Sequence, residues 1–209
     1  MIADNWRTIS ERVARAAEAA KRDPSEITIV AVAKTHPASA VREAIAAGAV
    51  AIGENYAQEL VAKRAEITEP VEWHFIGRLQ RNKVKLVAGC ALIHAVDSVD
   101  LAKEIAKRCP GVPVLLSVNV AGEATKGGVP LASTPSIANE IASIVPLRGL
   151  MTMPPPDDDP EPHFVALRAM REHLGLPILS MGMSDDFEVA IRFGATHVRI
   201  GTAIFGARG

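Results

Sequence analysis

Eight short apolar segments recur along this chain, and each is followed by a stretch with helical periodicity. The segments are apolar throughout and do not alternate with polar residues, which is typical of strands buried on both faces. The predicted strands are residues 27–33, 50–53, 71–76, 91–96, 112–118, 147–152, 177–180 and 196–200. Eight successive strand–helix units predict an α/β fold, a closed (β/α)8 TIM barrel. A doubly wound open sheet is the alternative, but regular units favour closure.

The chain is interpreted as a single domain over residues 1–209. Residues 4–21 carry apolar side chains at helical spacing and predict an extra N-terminal helix before the first strand. The segment 154–162 is rich in proline and aspartate and resembles a linker. Strand–helix units continue beyond it, so we interpret it as a solvated loop between a strand and a helix.

Composition excludes several classes of partner. The formal charge is −1, with basic and acidic residues interspersed, which provides no basic surface for nucleic acid or an anionic membrane. No apolar run approaches the about 20 residues needed to cross a bilayer. Two cysteines, Cys90 and Cys109, form no paired motif, and both are expected to be buried and inert. With no apolar signal segment at the start, we expect a cytoplasmic protein.

The first predicted strand ends in a lysine. Residues 27–33 form an apolar run, followed by Lys34 and, three positions later, Pro37. A lysine held against apolar walls has a lowered pKa, so that its free amine can attack a carbonyl and form a Schiff base. The alternative is a lysine whose ammonium group reaches solvent at the strand end, and this segment alone favours that alternative.

Polar residues and glycines follow the other strands as well, where the active site of a (β/α)8 barrel forms. The last two loops contain Ser180-Met-Gly182 and Gly201-Thr202. Glycines allow close backbone approach to an anion, and loops after strands seven and eight commonly bind phosphate in this fold. A Schiff-base lysine opposite a phosphate site predicts pyridoxal 5′-phosphate (PLP). Arg199 would then lie near the pyridine nitrogen, the alternative being a salt bridge to Glu54.

Longer motifs strengthen this hypothesis. They are Ala33-Lys34-Thr35-x-Pro37, Gly53-Glu-Asn55-Tyr56-x-Gln58-Glu59, Trp73-His-Phe-Ile-Gly77-x-Leu79-Gln80-x-Asn82-Lys83, Leu179-Ser-Met-Gly-Met-Ser-Asp-Asp186 and Val198-Arg-Ile-Gly-Thr-Ala-Ile-Phe-Gly-Ala-Arg208. In this order they closely resemble the pyridoxal phosphate homeostasis protein family over almost the whole chain.

The resemblance implies a fold-type III barrel like the N-terminal domain of alanine racemase. It implies a cytoplasmic, monomeric protein that holds PLP as a Schiff base on Lys34, without established catalytic turnover. Matched position by position, Ser180, Gly201 and Thr202 would hold the phosphate. Arg199 would face the pyridine nitrogen, and Asn55 would line one side of the ring. Apo-enzymes that need PLP are the recipients such a role implies.

Three departures from the family pattern concern transfer of the cofactor. Thr125-Lys-Gly-Gly128 replaces a motif closer to Ser-Lys-Ser-Gly, His36 stands where a second lysine is common, and the chain ends at Gly209 without a lysine-bearing tail. These lysines could take part in handing the cofactor to other enzymes, so transfer is less secure than binding.

Three functions are compatible with a lysine that forms a Schiff base. A carrier and buffer needs only a Schiff base and an open mouth. A racemase needs two bases on opposite faces of the substrate, and the sole tyrosine, Tyr56, lies in the second strand–helix unit. A class I aldolase commonly places its lysine on a later strand. The carrier is favoured over the racemase, and the aldolase is the least favoured. Among the histidines, His94 is expected to be a hydrogen-bonded core residue, and His74 is the one expected near the cofactor.

Overall fold

A computed structural model describes residues 1–123 and 127–206. Its strands are β1 (Thr28–Val32), β2 (Ala51–Glu54), β3 (Glu72–Phe75), β4 (Leu92–Val96), β5 (Val114–Asn119), β6 (Val129–Pro130), β7 (Leu147–Met151), β8 (Ile178–Ser180) and β9 (His197–Ile200). Eight of them pair in the order β4-β3-β2-β1-β9-β8-β7-β5, and β4 pairs with β5 to close the barrel. The pairings are parallel. The predicted closed barrel is therefore confirmed.

The two-residue strand β6 was not predicted, because its segment has no apolar run long enough to indicate a strand. It pairs in parallel with the last residues of β5, where Val118 is opposite Val129. The loop residues Thr125 and Lys126, whose sequence departs from the family pattern, lie outside the described residues, as do residues 207–209 at the end of the chain.

The helices are α1 (Ile2–Ala19), α2 (Ala38–Ala46), α3 (Ala57–Glu66), α4 (Val99–Arg108), α5 (Thr134–Ala142), α6 (Pro160–His173), α7 (Phe187–Arg192) and α8 (Thr202–Phe205). The extra N-terminal helix is confirmed as α1, and the helix expected near residues 80–87 is a 3₁₀ helix, Arg81–Val87. Ser98 begins α4 by accepting a hydrogen bond from the Leu101 amide. Within the described residues, every helix is too short or too polar to cross a membrane.

The aliphatic core lies between the strands and the helices, whereas part of the barrel interior is polar. Leu92, Leu115 and Met151 form a small apolar cluster of their own. Beside it, side chains from β3, β4, β8 and β9 contact one another: His74, His94, Ser180 and Arg199. Strands that are not neighbours in the closed sheet can meet only across the interior, so these four residues lie inside the barrel.

Candidate functional site

The amine-bearing Lys34 lies just beyond β1, in the wall of a cavity of about 260 Å³. Residues from the ends of several strands share this wall: Val32, Lys34, His36, Asn55, Ile76, Met153, Met183, Ser184, Asp185, Arg199, Gly201, Thr202 and Gly206. The structure thus brings together five of the six predicted site residues. The cavity lies at the carboxyl ends of the strands, where active sites form in this fold.

Ser180 is the predicted site residue that does not line this cavity. Its side chain is fully buried, its Oγ accepts a hydrogen bond from Arg199 at 2.7 Å, and the same Oγ lies 2.9 Å from Nδ1 of His94. This serine is therefore committed inside the barrel, beneath the cavity. Ser184, four residues later, instead lines the cavity wall, as does Thr202.

The loop from β8 to α7 brings Ser184 into the wall. Gly182 has a φ of +92°, and a Cβ there would lie 2.6 Å from the Cβ of Ala190, so only glycine fits. The Gly182 carbonyl accepts from the Arg199 amide at 2.9 Å, and Asp186 Oδ1 accepts from the Met183 amide at 2.6 Å. These bonds fix the loop against β9 and next to the residues of the last loop.

The cavity has features that fit a phosphate and an aromatic aldehyde. A Cβ at Gly201 would lie 3.2 Å from the Val32 carbonyl, so glycine keeps this turn close to β1. The hydroxyls of Ser184 and Thr202 line the same cavity. The buried Oδ1 of Asn55 has no hydrogen-bond partner among the described residues, so it is free to accept one from a ligand. Asp185 adds a carboxylate to the wall, which a phosphate would have to avoid.

A buried ion-pair network holds the chain on both sides of Lys34. Nζ of Lys63 donates to the Ala33 carbonyl at 2.7 Å, to Glu54 at 2.6 Å and to Glu59 at 3.1 Å. Glu59 also accepts from the Thr35 amide at 2.8 Å. Thr35 has a φ of +67°, which is strained for a β-branched residue. The network therefore holds a strained turn that positions Lys34.

Sequence reasoning missed this network. Glu59 and Lys63 are spaced as an ordinary surface pair on a helix, and nothing in the sequence shows that Lys63 is buried. Glu54, proposed as an alternative partner for Arg199, instead pairs with Lys63. Burial raises the pKa of Glu54 to about 7, and the hydrogen bond from Lys63 opposes that rise.

A second chain of hydrogen bonds runs through the barrel to Arg199. The guanidinium donates to Ser180 Oγ and, at 2.8 Å, to the Thr152 carbonyl. His94 lies between Ser180 and His74, with 2.9 Å from its Nε2 to Nδ1 of His74. The exposed carboxylate of Glu72 is 3.5 Å from Nε2 of His74 and ends the chain.

These hydrogen bonds can all be donated in one direction, from Arg199 towards Glu72, so that every donor faces an acceptor. Arginine only donates, so Ser180 accepts from Arg199 and its hydroxyl hydrogen points to His94. Nε2–H of His94 then donates to His74, and Nε2–H of His74 faces the carboxylate of Glu72. In the reverse direction an unprotonated histidine nitrogen would face that carboxylate. Neutral histidines with Nε2 protonated therefore support Arg199 from beneath the cavity.

Burial favours these neutral histidines. Desolvation lowers the pKa of His74 to about 4, that of His197 to about 4, and that of His94 well below its usual value. Burial also lowers the pKa of Arg199 to about 10, with Asp186 acting in the opposite direction. His94 is confirmed as a hydrogen-bonded core residue. His74, expected near the cofactor, lies inside the barrel and does not line the cavity.

The histidines predict acid sensitivity. An unfolded histidine binds a proton near pH 6.5 and folded His74 does so near pH 4, so the stability it contributes is lost as pH falls through this window. At pH 5 the loss for His74 is about 2 kcal/mol.

We expect His74→Asn to remove this loss, which urea unfolding of both proteins at pH 7.5 and pH 5 would measure. The raised pKa of Glu54 changes the stability in the opposite direction over much of the same pH range. The informative quantity is therefore the difference in the free energy of unfolding between wild type and variant. An unchanged difference at the two pH values would contradict the neutral state of folded His74.

The two cysteines do not contribute to the cavity. Both are buried, and desolvation raises the pKa of Cys90 to about 12 and that of Cys109 above its usual value. Since a thiol must ionise to react or bind a metal, these two are inert under ordinary conditions, as predicted.

Comparison with known proteins shows the family. Residues 2–209 match the family described as alanine racemase, N-terminal domain. A pyridoxal phosphate homeostasis protein of Pseudomonas aeruginosa is 46% identical, over 99% of this chain and 96% of the relative. The protein of the same name from Aquifex aeolicus is 43% identical, over 96% of this chain and 95% of the relative.

Solved structures agree with the fold. PipY of Synechococcus elongatus, solved with PLP bound, has a TM-score of 0.82 and 32% identity, over 95% of this chain and all of PipY. Alanine racemase of Bartonella henselae has a TM-score of 0.76 at 15% identity, covering 99% of this chain but 58% of the racemase, and this likeness shows the fold alone. The chain belongs to the pyridoxal phosphate homeostasis protein family, whose barrel is that of the alanine racemase N-terminal domain.

Proposed function

We propose that this protein holds PLP as a Schiff base on Lys34 and acts as an intracellular carrier and buffer of the cofactor. The observation that carries the proposal is that Lys34, Asn55, Arg199, Gly201 and Thr202, from three separate segments, line one cavity. The relative solved with PLP bound and the relatives named for PLP homeostasis support the choice of cofactor. Bound there, PLP would supply an aldehyde that the amine of Lys34 can capture reversibly.

The remaining residues are assigned by their place in the wall. Ser184 and Thr202, with the backbone at Gly201, bind the phosphate, so Ser184 replaces Ser180 in this role. Arg199 faces the pyridine nitrogen and, as a cation, disfavours a proton there. Weak protonation of the ring limits its capacity to withdraw electrons, which suits holding the cofactor more than catalysis. Asn55 accepts a hydrogen bond beside the ring.

A racemase remains the second candidate, because the fold is that of alanine racemase. It would need a second base on the opposite face of the substrate. Tyr56, the only tyrosine, is 53% exposed and lines a neighbouring pocket, not the cavity of Lys34. Among the described residues, the titratable side chains of that cavity are Lys34, His36, Asp185 and Arg199. The carrier function is therefore favoured, in a cytoplasmic monomer whose recipients are apo-enzymes that use PLP.

A transfer assay tests the carrier function. The loaded protein is mixed with an apo-transaminase and a phosphatase that destroys free PLP, and recovery of transaminase activity is followed. We expect recovery from the loaded protein under conditions in which an equal amount of free PLP gives little. Equal recovery from both sources would contradict a carrier. Racemisation of alanine by the loaded protein at enzymatic rates would favour the second candidate.

The phosphate assignment makes a separate prediction. We expect Ser184→Ala together with Thr202→Val to weaken PLP binding, because each lost charge-assisted hydrogen bond contributes about 1.5–3 kcal/mol. Titration followed by the absorbance of the bound cofactor measures the affinity. Thr68→Val, at an exposed loop position, is the matched control and should bind as the wild type does. An unchanged affinity in the double variant would remove the phosphate from this end of the cavity.

A further inference from the structure

A second pocket lies beside the cavity of Lys34 and is not used by the proposed function. This side pocket has a volume of about 300 Å³. Its polar lining residues are Asn55, Tyr56, Gln58, Arg78, Gln80 and Lys83. Between it and the Lys34 cavity lies a further compartment of about 230 Å³, whose wall includes Arg78 on one side and Arg199 on the other. Asn55 lines all three spaces, so the side pocket adjoins the mouth of the barrel.

The described charged side chains that line the side pocket are all basic. They are Arg78 and Lys83, and none of the described acidic residues lines it. Within residues 1–123 and 127–206, neither of these side chains forms an ion pair or a hydrogen bond. Nearby Arg81, by contrast, lies 3.6 Å from Asp100 and is not part of the lining. Two cations without a counter-charge in a concave pocket are suited to an anion.

The start of helix α3 adds donors to the same pocket. Tyr56 precedes the helix, no side chain caps it, and Ala57 and Gln58 in its first turn line the pocket. The amides at the start of a ten-residue helix attract an anion. The carboxylate of Glu59, in the same turn, is held by the Thr35 amide and by Lys63 and does not line the pocket.

The remaining groups suit an aromatic ring. Tyr56 is 53% exposed and its hydroxyl forms no hydrogen bond within the described part of the chain, so its ring offers a face for stacking. A ligand in the side pocket can therefore combine a phosphate at the helix start with a ring on Tyr56.

We propose that the side pocket binds an aromatic phosphate ester, with the phosphate on Arg78, Lys83 and the start of α3, and the ring on Tyr56. Resting on the proposed function, the ligand is PLP itself, held without a covalent bond between Lys34 and an acceptor enzyme. The pocket then serves as a waiting site beside the mouth, used in loading and hand-over.

The test uses the full protein with Lys34 loaded with PLP and fixed by borohydride, which blocks the first site. Pyridoxine 5′-phosphate, which lacks the aldehyde, is then titrated in by calorimetry. We expect one further equivalent to bind, with affinity reduced roughly tenfold or more in Arg78→Ala/Lys83→Ala. Arg81→Ala is the matched control and should retain wild-type affinity. No further equivalent, or equal affinity in the double variant, would overturn the proposal.

A second arm tests the ring. We expect Tyr56→Ala to weaken the binding of pyridoxine 5′-phosphate and to leave the binding of inorganic phosphate unchanged, because only pyridoxine 5′-phosphate has a ring that stacks on Tyr56. Equal behaviour of both ligands would overturn the aromatic assignment. Thermal unfolding of each variant reports whether the fold is retained.

Failure of the proposed function is read separately, from the mass of the borohydride-treated protein. If reduction adds no cofactor, the Schiff base on Lys34 is wrong. Binding to the side pocket is then measured in untreated protein. The wild type must bind one equivalent of pyridoxine 5′-phosphate more than Arg78→Ala/Lys83→Ala does. Equal numbers of equivalents would overturn the proposal in that case as well.

Discussion

Replacing Lys34 with alanine is expected to abolish the covalent cofactor. Wild-type protein incubated with PLP and reduced with borohydride should gain one cofactor mass per chain, and Lys34→Ala should gain none. The amine at this position is the nucleophile of the proposed Schiff base, and no other lysine lines the cavity among the described residues. Intact-protein mass spectrometry measures the adduct, and the visible absorbance band should disappear with it.

Two further variants separate the amine from its charge. Lys34→Arg keeps a cation but cannot form the bond, so it should also show no adduct. Lys103→Ala, at an exposed position of α4, should behave as the wild type does. An adduct that persists in Lys34→Ala would place the reactive amine elsewhere and remove the basis of the proposed function.

Replacing Lys63 with methionine is expected to have the largest effect on stability. Lys63 and Glu54 are 92% and fully buried at the side chain and only 2.6 Å apart. Removing one partner of a buried pair leaves the other either charged without a partner or forced to take up a proton, and costs about 3–5 kcal/mol. Urea unfolding at pH 7.5 measures the loss. The Ala33 carbonyl and Glu59 lose their bonds to Lys63 as well, so PLP affinity should fall in the same variant.

Controls for Lys63→Met come from the same chain. Glu54→Gln/Lys63→Met removes both charges and should recover part of the stability. Arg168→Met breaks an exposed pair with Glu172 and should cost about 0–1 kcal/mol. A loss of similar size in Lys63→Met and Arg168→Met would contradict a structural role for the buried network.

The pH dependence of Lys63→Met follows from Glu54. Its folded pKa of about 7 lies above its unfolded value, so the folded protein binds the extra proton and stability is lost as pH rises through 7. Lys63 opposes this rise in pKa, and its removal should therefore make the loss with increasing pH steeper. Unfolding measured at pH 6 and pH 8 would show this.

The barrel and most of the cavity could be predicted from the sequence. Apolar runs of strand length determine where strands form, and parallel strands in a closed barrel bring their carboxyl ends to one face. For that reason Lys34, Asn55, Arg199, Gly201 and Thr202 could be assigned to one site before their distances were known. Glycine at position 182 reflects a left-handed backbone in the turn itself, which the sequence also records, whereas glycine at position 201 reflects the close approach of β1.

Only the tertiary structure decided which groups face the cavity and which lie inside the barrel. Ser180 ends β8 and Ser184 follows it in the next loop, and which of the two hydroxyls reaches the cavity depends on how β8 packs against β4 and β9. Burial of Lys63 and of His74 depends in the same way on strands distant in sequence. Charge and hydrogen-bond direction inside a barrel are set by contacts across it, and these contacts have no local pattern in the chain.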